Sequence, residues 1–125
     1  MLLVATIVKP SRIEGLGLFA AADIPAGTVW WKFDRAIDRK FSEFSFVVLP
    51  KLAQEHIQRS GFKQNGIWVM CGDDARFVNH AFDAPTRPDP NMTASITTRL
   101  IKAGEEITED YSLFDENVRD FMMRE

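Results

Sequence analysis

The sequence predicts a mainly β fold with one helical insertion and a short C-terminal helix, and three observations carry that expectation. Runs of strand formers such as Val29-Trp30-Trp31-Lys32-Phe33 and Ile67-Trp68-Val69-Met70 are set between turns built on glycine, proline and aspartate. Between about residues 41 and 62 the pattern changes, with Leu52, Ala53, His56 and Ile57 on one side of a helix that Pro50 can start and Gly61 can stop. After Asp115, the residues Val118, Phe121 and Met122 share one face of a helix over about 115–124.

The elements follow in order. Residues 2–8 are apolar and read as a first strand, because no basic stretch precedes them and Lys9, Pro10, Arg12 and Glu14 interrupt the run before it resembles a signal peptide. Gly15-Leu16-Gly17 breaks the chain ahead of a second apolar stretch at 18–22. Asp23-Ile24-Pro25-Ala26-Gly27 turns into the Trp30-Trp31 strand. Beyond the helical insertion and the Ile67 strand, Gly72-Asp73-Asp74 is a turn. Residues 79–91, with Pro85, Pro88 and Pro90, read as an irregular loop. A strand over 92–98 alternates Ala94, Ile96 and Thr98 against Thr93, Ser95 and Thr97, and Ala103-Gly104 turns into a last strand ending at Tyr111. We expect one domain over residues 1–125, since 125 residues with 46% hydrophobic content can bury a core unaided.

Composition narrows the function. A single cysteine, Cys71, makes no intrachain disulfide and supplies no multi-cysteine zinc site, so no metal is expected. No segment is long enough to span a bilayer, and the chain is expected to be intracellular, cytoplasmic or otherwise, without a membrane partner. The net charge of −3 is unevenly spread: residues 105–125 hold eight acids against Arg119 and Arg124. That region is either a solvated face or a patch that attracts basic peptides, and its sign argues against direct nucleic-acid binding.

Three segments bear chemistry. Gly15-Leu16-Gly17 lets backbone groups approach a ligand closely, although a lone G-x-G is usually just a tight turn. Arg76-Phe77-Val78-Asn79-His80 precedes the proline-rich loop and Pro90-Asn91, and an isolated Asn-His pair is most often structural. Gly104-Glu105-Glu106-Ile107-Thr108-Glu109-Asp110-Tyr111 ends on the single tyrosine, a residue commonly found in a core with its hydroxyl at the rim.

Together and in this order, the stretches Ser11 to Ala20, Asp23 to Gly27, Arg76 to His80 and Gly104 to Tyr111 resemble the SET domain of protein lysine methyltransferases, in a minimal form without the zinc modules that flank it in many relatives. The resemblance implies a β-clip-like fold of small sheets in which the Asn79-His80 and Tyr111 segments meet in a knot-like crossing. It implies S-adenosylmethionine as cofactor, bound by Gly15, Leu16 and Gly17 through backbone groups and by Asn79 and His80, with Arg76, Phe77 and Phe114 beside them. Tyr111 would face the sulfonium methyl and orient the amine of a lysine in a protein partner, one whose target segment is basic. Small members of this kind can pair into dimers, for which Trp30 and Trp31 are candidates, as they are for the core.

The match departs from the family in places. Ala81 replaces the serine that usually follows Asn-His, a longer stretch separates His80 from Asn91, and a second channel tyrosine is missing, so that Phe, Trp or backbone carbonyls must complete the channel. Two positions before Tyr111, where nuclear relatives often carry an aromatic that limits the methyl count, stands Glu109. Methyl transfer itself needs mainly alignment of a neutral amine with the methyl and exclusion of water, so the chemistry requires no dedicated base. The alternative is a SET-like module that binds a protein or ligand without turnover; a purely structural β-clip domain explains the turns but not the three segments together.

Overall fold

The computed structural model describes residues 1–118, and the Phe121 and Met122 part of the expected terminal helix lies outside them. Among the described residues three small sheets make up the fold, and a fold of small sheets is what the family resemblance implies. The first takes β1 (Thr6–Pro10), β2 (Leu16–Ala20), β10 (Glu106–Glu109) and β7 (Asn79–His80) in the order β1-β2-β10-β7. In the second, β3 (Val29–Lys32), β9 (Ala94–Thr97) and β8 (Thr86–Pro88) lie in the order β3-β9-β8. The third pairs β4 (Arg39–Phe41), β6 (Ile67–Met70) and β5 (Phe62–Gln64) around β6. Two helices, α1 (Glu43–Val47) and α2 (Lys51–Ser60), join β4 to β5.

What positions the site is the first sheet. Leu18 and Ile107 are both fully buried and are paired across β2 and β10, while the other edge of β10 runs parallel to β7 with Thr108 opposite Asn79 and Glu109 opposite His80. Two segments 25 or more residues apart in sequence are thereby laid side by side by backbone pairing. Beneath them Leu18, Ala20, Ile24, Trp30, Trp31, Ala75, Val78, Ile101 and Ile107 form one core, and Phe46, Ile57 and Trp68 a second under the helices. Phe46 stacks on Trp68 with ring centroids 5.1 Å apart. Trp30 and Trp31 are therefore core residues, which answers the sequence ambiguity between core and dimer contact.

Several expectations are corrected. Residues 2–8 are not one strand: Leu2 bridges Trp31 and the Leu3 amide donates to the Trp30 carbonyl, whereas pairing with β2 begins at Thr6. The run changes partner midway, which hydropathy does not reveal. Of the four residues that share one side of α2, only Ile57 is buried, and Leu52 and His56 face solvent. Pro50 does start the helix, from the N-cap position, and the Gly61 amide closes it on the Ile57 carbonyl. The alternation over 92–98 fails because β9 is a central strand between β3 and β8, burying Ser95 and Thr97 along with Ala94. Buried hydroxyls need partners, and Thr97 Oγ1 donates to the Pro25 carbonyl at 2.7 Å. The proline-rich stretch contains β7 and β8, with Pro88 on an edge strand where its missing N–H costs no ladder bond.

Candidate active site

The glycine turn is held by a small polar network. Gly15 has φ +47, a left-handed conformation suited to glycine, and its carbonyl accepts from the Ser11 amide at 2.8 Å. Ser11 Oγ lies 2.7 Å and 3.0 Å from the two Glu106 carboxylate oxygens. The Asn79 side-chain amide donates to the same carboxylate at 2.9 Å and to the Glu14 and Leu16 carbonyls at 3.1 and 3.2 Å. Glu106 thus ties β2's entry turn to β7, a function that sequence reasoning missed. The available signal was its alternation with the buried Ile107 on a strand, which places it on the face opposite the core.

Tyr111 opens a 3-10 turn (Tyr111–Leu113) directly after β10, capped by Asp110, whose carboxylate accepts from the Ser112 amide at 3.0 Å. Its amide donates to His80 Nδ1 at 3.0 Å and its hydroxyl donates to the Val78 carbonyl. Because Nδ1 accepts, the imidazole proton sits on Nε2, which is buried and has no hydrogen-bond partner among the described residues. Burial, reinforced by the negative charges of Glu109 and Asp115, pushes the Tyr111 phenol well above its ordinary range. Tyr111 is a neutral hydroxyl at any working pH, not a phenolate base.

Below Tyr111 opens a cavity of about 110 Å³. Trp31, Phe62, Phe114 and Tyr111 form a continuous wall of edge-on ring contacts, at centroid separations of 6.2, 5.2 and 5.8 Å along the series. Glu109 and Asp115 bring carboxyl groups to the same cavity. Burial raises the Glu109 carboxyl from 4.5 to about 7, against a hydrogen bond with Ser95 that works the other way. Between those two values the folded chain holds a proton that the unfolded chain has released. The corresponding share of stability is fully present below about pH 4.5 and is lost as pH rises to about 7. Urea unfolding of Glu109→Gln against wild type across pH 4 to 8 is expected to show the variant gaining relative stability through that window and holding the gain above it.

The predicted residues fall into two groups. Gly15, Leu16, Gly17, Asn79 and His80 gather around the Glu106 network and the amide of Tyr111, whereas Arg76, Tyr111 and Phe114 line the cavity. Phe77 belongs to neither set; its ring lies under the Arg76 guanidinium at 4.6 Å. Asn91 is exposed in a turn organised by Asp89. Tyr111 belongs to both groups, through His80 on one side and the aromatic wall on the other. The acidic C-terminal region is also put to structural use: Glu116 accepts from the Gly66 amide, Asp115 from that of Lys63, and Glu105 from that of Lys102.

Comparison with known proteins places this arrangement. A family model described as SET domain matches residues 15–112. Among solved structures, a humanized mutant of the Chaetomium thermophilum Polycomb Repressive Complex 2 bound to the inhibitor GSK126 is similar at 29% identity and a TM-score of 0.67, covering 93% of this chain and 16% of that one. The same complex in an autoinhibited conformation bound to S-adenosylmethionine matches at 26% identity and a TM-score of 0.67, over 97% of this chain and 17% of that one. A Plasmodium falciparum protein described as a candidate histone methyltransferase shares the fold at 12% identity and a TM-score of 0.63, over 86% of this chain and 93% of that one. The chain spans about a sixth of the length of the Polycomb chains it matches. A comparison with curated proteins by sequence gave no match. With its glycine turn, its Asn-His strand and its terminal tyrosine inside the matched region, the chain belongs to the SET domain family.

Proposed function

We propose that this chain transfers a methyl group from S-adenosylmethionine to the side-chain amine of a protein lysine. The observation that carries the reading is the double attachment of Tyr111, which joins the glycine-turn cluster through His80 to an aromatic, acid-lined cavity. A cofactor on one side and a lysine on the other would meet at such a residue.

The residues fit the cofactor. His80 Nε2 is a buried donor awaiting an acceptor, and Gly17 lies so close to the Glu106 carboxylate that a side chain there would displace it. Gly15, Leu16 and Gly17 offer backbone groups to the methionine end, and Asn79 fixes that turn from behind. When bound, S-adenosylmethionine supplies a methyl on a sulfonium, activated for in-line displacement. The chain does the rest: the aromatic wall excludes water around the lysine stem, and the neutral Tyr111 hydroxyl orients the amine. An aromatic cavity with Glu109 and Asp115 on its wall, alongside Arg59 and Arg76, suits an aliphatic stem that ends in an amine. The matched Polycomb structures include one in complex with H3K27me3 and H3K27M, so histone tails are a sensible first substrate class.

The test is incubation of purified protein with labelled S-adenosylmethionine and a panel of core histones and lysine-rich proteins. Label on lysine is the expected result. Cofactor binding without transfer favours the non-catalytic binding module, and absence of cofactor binding overturns both.

A further inference from the structure

Glu109 sits two residues before Tyr111, in register with His80 across the parallel pair and on the wall of the cavity. The other cavity carboxyl, Asp115, is already engaged, its Oδ1 accepting from the Lys63 and Asn117 amides at 3.1 Å each. No ion pair among the described residues involves Glu109. A half-buried carboxyl that meets Ser95 but is in no ion pair among the described residues, in an aromatic cavity beside the candidate catalytic hydroxyl, is a place suited to a cation that arrives from outside.

We propose that Glu109 receives the side-chain ammonium of the substrate lysine in this cavity and takes its proton, so that the neutral amine forms beside Tyr111. The inference rests on the methyltransferase reading and adds to it a named proton acceptor. One N–H bond of the ammonium breaks, its electron pair stays on nitrogen as the nucleophilic lone pair, and an O–H bond forms on the carboxylate. The charged pair becomes a neutral amine and a neutral acid. Burial favours that exchange, because desolvation penalises both charges and the penalty vanishes when the proton moves.

The surrounding groups leave Glu109 as the acceptor. Cys71 and Tyr111 also face the cavity, but burial holds both far above their ordinary values, so each keeps its own proton. Arg59 and Arg76 contribute fixed positive charge and Asp115 the second carboxyl. The Glu109 carboxyl, at about 7, stands midway between an ordinary carboxylic acid and a free lysine, close to what general-base chemistry at neutral pH asks for.

The test has a substrate-free arm and a catalytic arm. Without cofactor, n-butylamine at pH 8 stands in for the lysine side chain, and its binding is followed by NMR. Glu109→Gln is expected to weaken that binding tenfold or more. In single-turnover methylation of core histones, E109Q is expected to be slower by about 10²-fold at pH 7.5. Its rate should then recover about tenfold per pH unit as free lysine deprotonates towards pH 10, while S-adenosylhomocysteine affinity stays within twofold of wild type. Glu109→Asp, which keeps the acid at shorter reach, should fall between the two and guards against a folding defect in E109Q. Equal butylamine affinity in wild type and E109Q overturns the proposal, as does a rate loss that high pH does not recover. Wild-type protein that methylates nothing yet binds butylamine through Glu109 sinks the methyltransferase reading while leaving the cation site standing.

Discussion

Tyr111→Phe is expected to reduce methyl transfer by about 10²-fold or more, equivalent to about 2.7 kcal/mol of lost transition-state alignment. The hydroxyl is a neutral donor fixed at one end of the cavity wall, bonded to the Val78 carbonyl while its own backbone amide holds His80. Removing the oxygen spares the His80 contact and the ring contacts with Phe114, so cofactor affinity should stay within a few-fold. It also leaves the Val78 carbonyl without that donor, a cost to stability of about 1–3 kcal/mol. The check is threefold: rate with labelled cofactor, cofactor affinity, and melting temperature. A variant with wild-type rate removes Tyr111 from the mechanism, and one that loses cofactor binding in proportion to rate assigns it to binding instead.

Gly17→Ala is expected to weaken cofactor binding tenfold or more, with a fall in stability of about 1–3 kcal/mol. A Cβ on residue 17 would lie 2.5 Å from Glu106 Oε2 and 2.9 Å from its carboxyl carbon, distances at which the carboxylate must shift from its place between Ser11 and Asn79. That shift unfastens Ser11 and Asn79 together, and with them the turn that carries Gly15 and Leu16. Because the clash acts through one side chain, Gly17→Ala combined with Glu106→Ala should cost less than the sum of the two singles. Calorimetric titration of S-adenosylhomocysteine into the three variants, with thermal melts alongside, reads both quantities. Strict additivity would place the two residues in separate roles.

Local patterning made much of the fold legible. Trp30-Trp31 and Ile67 to Met70 are runs of strand formers that fall in β3 and β6, and Gly61 ends α2 where its backbone leaves the helix. Patterning misled wherever exposure was decided by a remote partner. Thr97 looks like a solvent-facing alternation in sequence and is 2% exposed, because β8 and β9 pair against the turn that supplies Pro25 as its acceptor. Leu52 is apolar and shares a helix side with Ile57 yet is 80% exposed, because α2 turns Ile57 into the cluster with Phe46 and Trp68. β7 and β8 are two and three residues long, too short for any period to register.

For the site, the sequence by itself determined which residues carry chemistry: a lone phenol, an Asn-His pair and a glycine turn are visible as residue types in order, since each depends on side-chain identity or on a missing Cβ. Only the tertiary structure decided what they do for one another. The parallel pairing of β10 with β7 sets Tyr111 against His80, and it turns Glu109 from an unexplained acid in a strand into a carboxyl on the wall of an aromatic cavity, in no ion pair among the described residues. The antiparallel pairing of β10 with β2 brings Glu106 under the glycine turn, 95 residues from Ser11. The physical reason is that burial and hydrogen-bond partnership belong to pairs of segments far apart in the chain, so the charge state of a carboxyl, and with it the proposed source of a reactive amine, is a property of the fold.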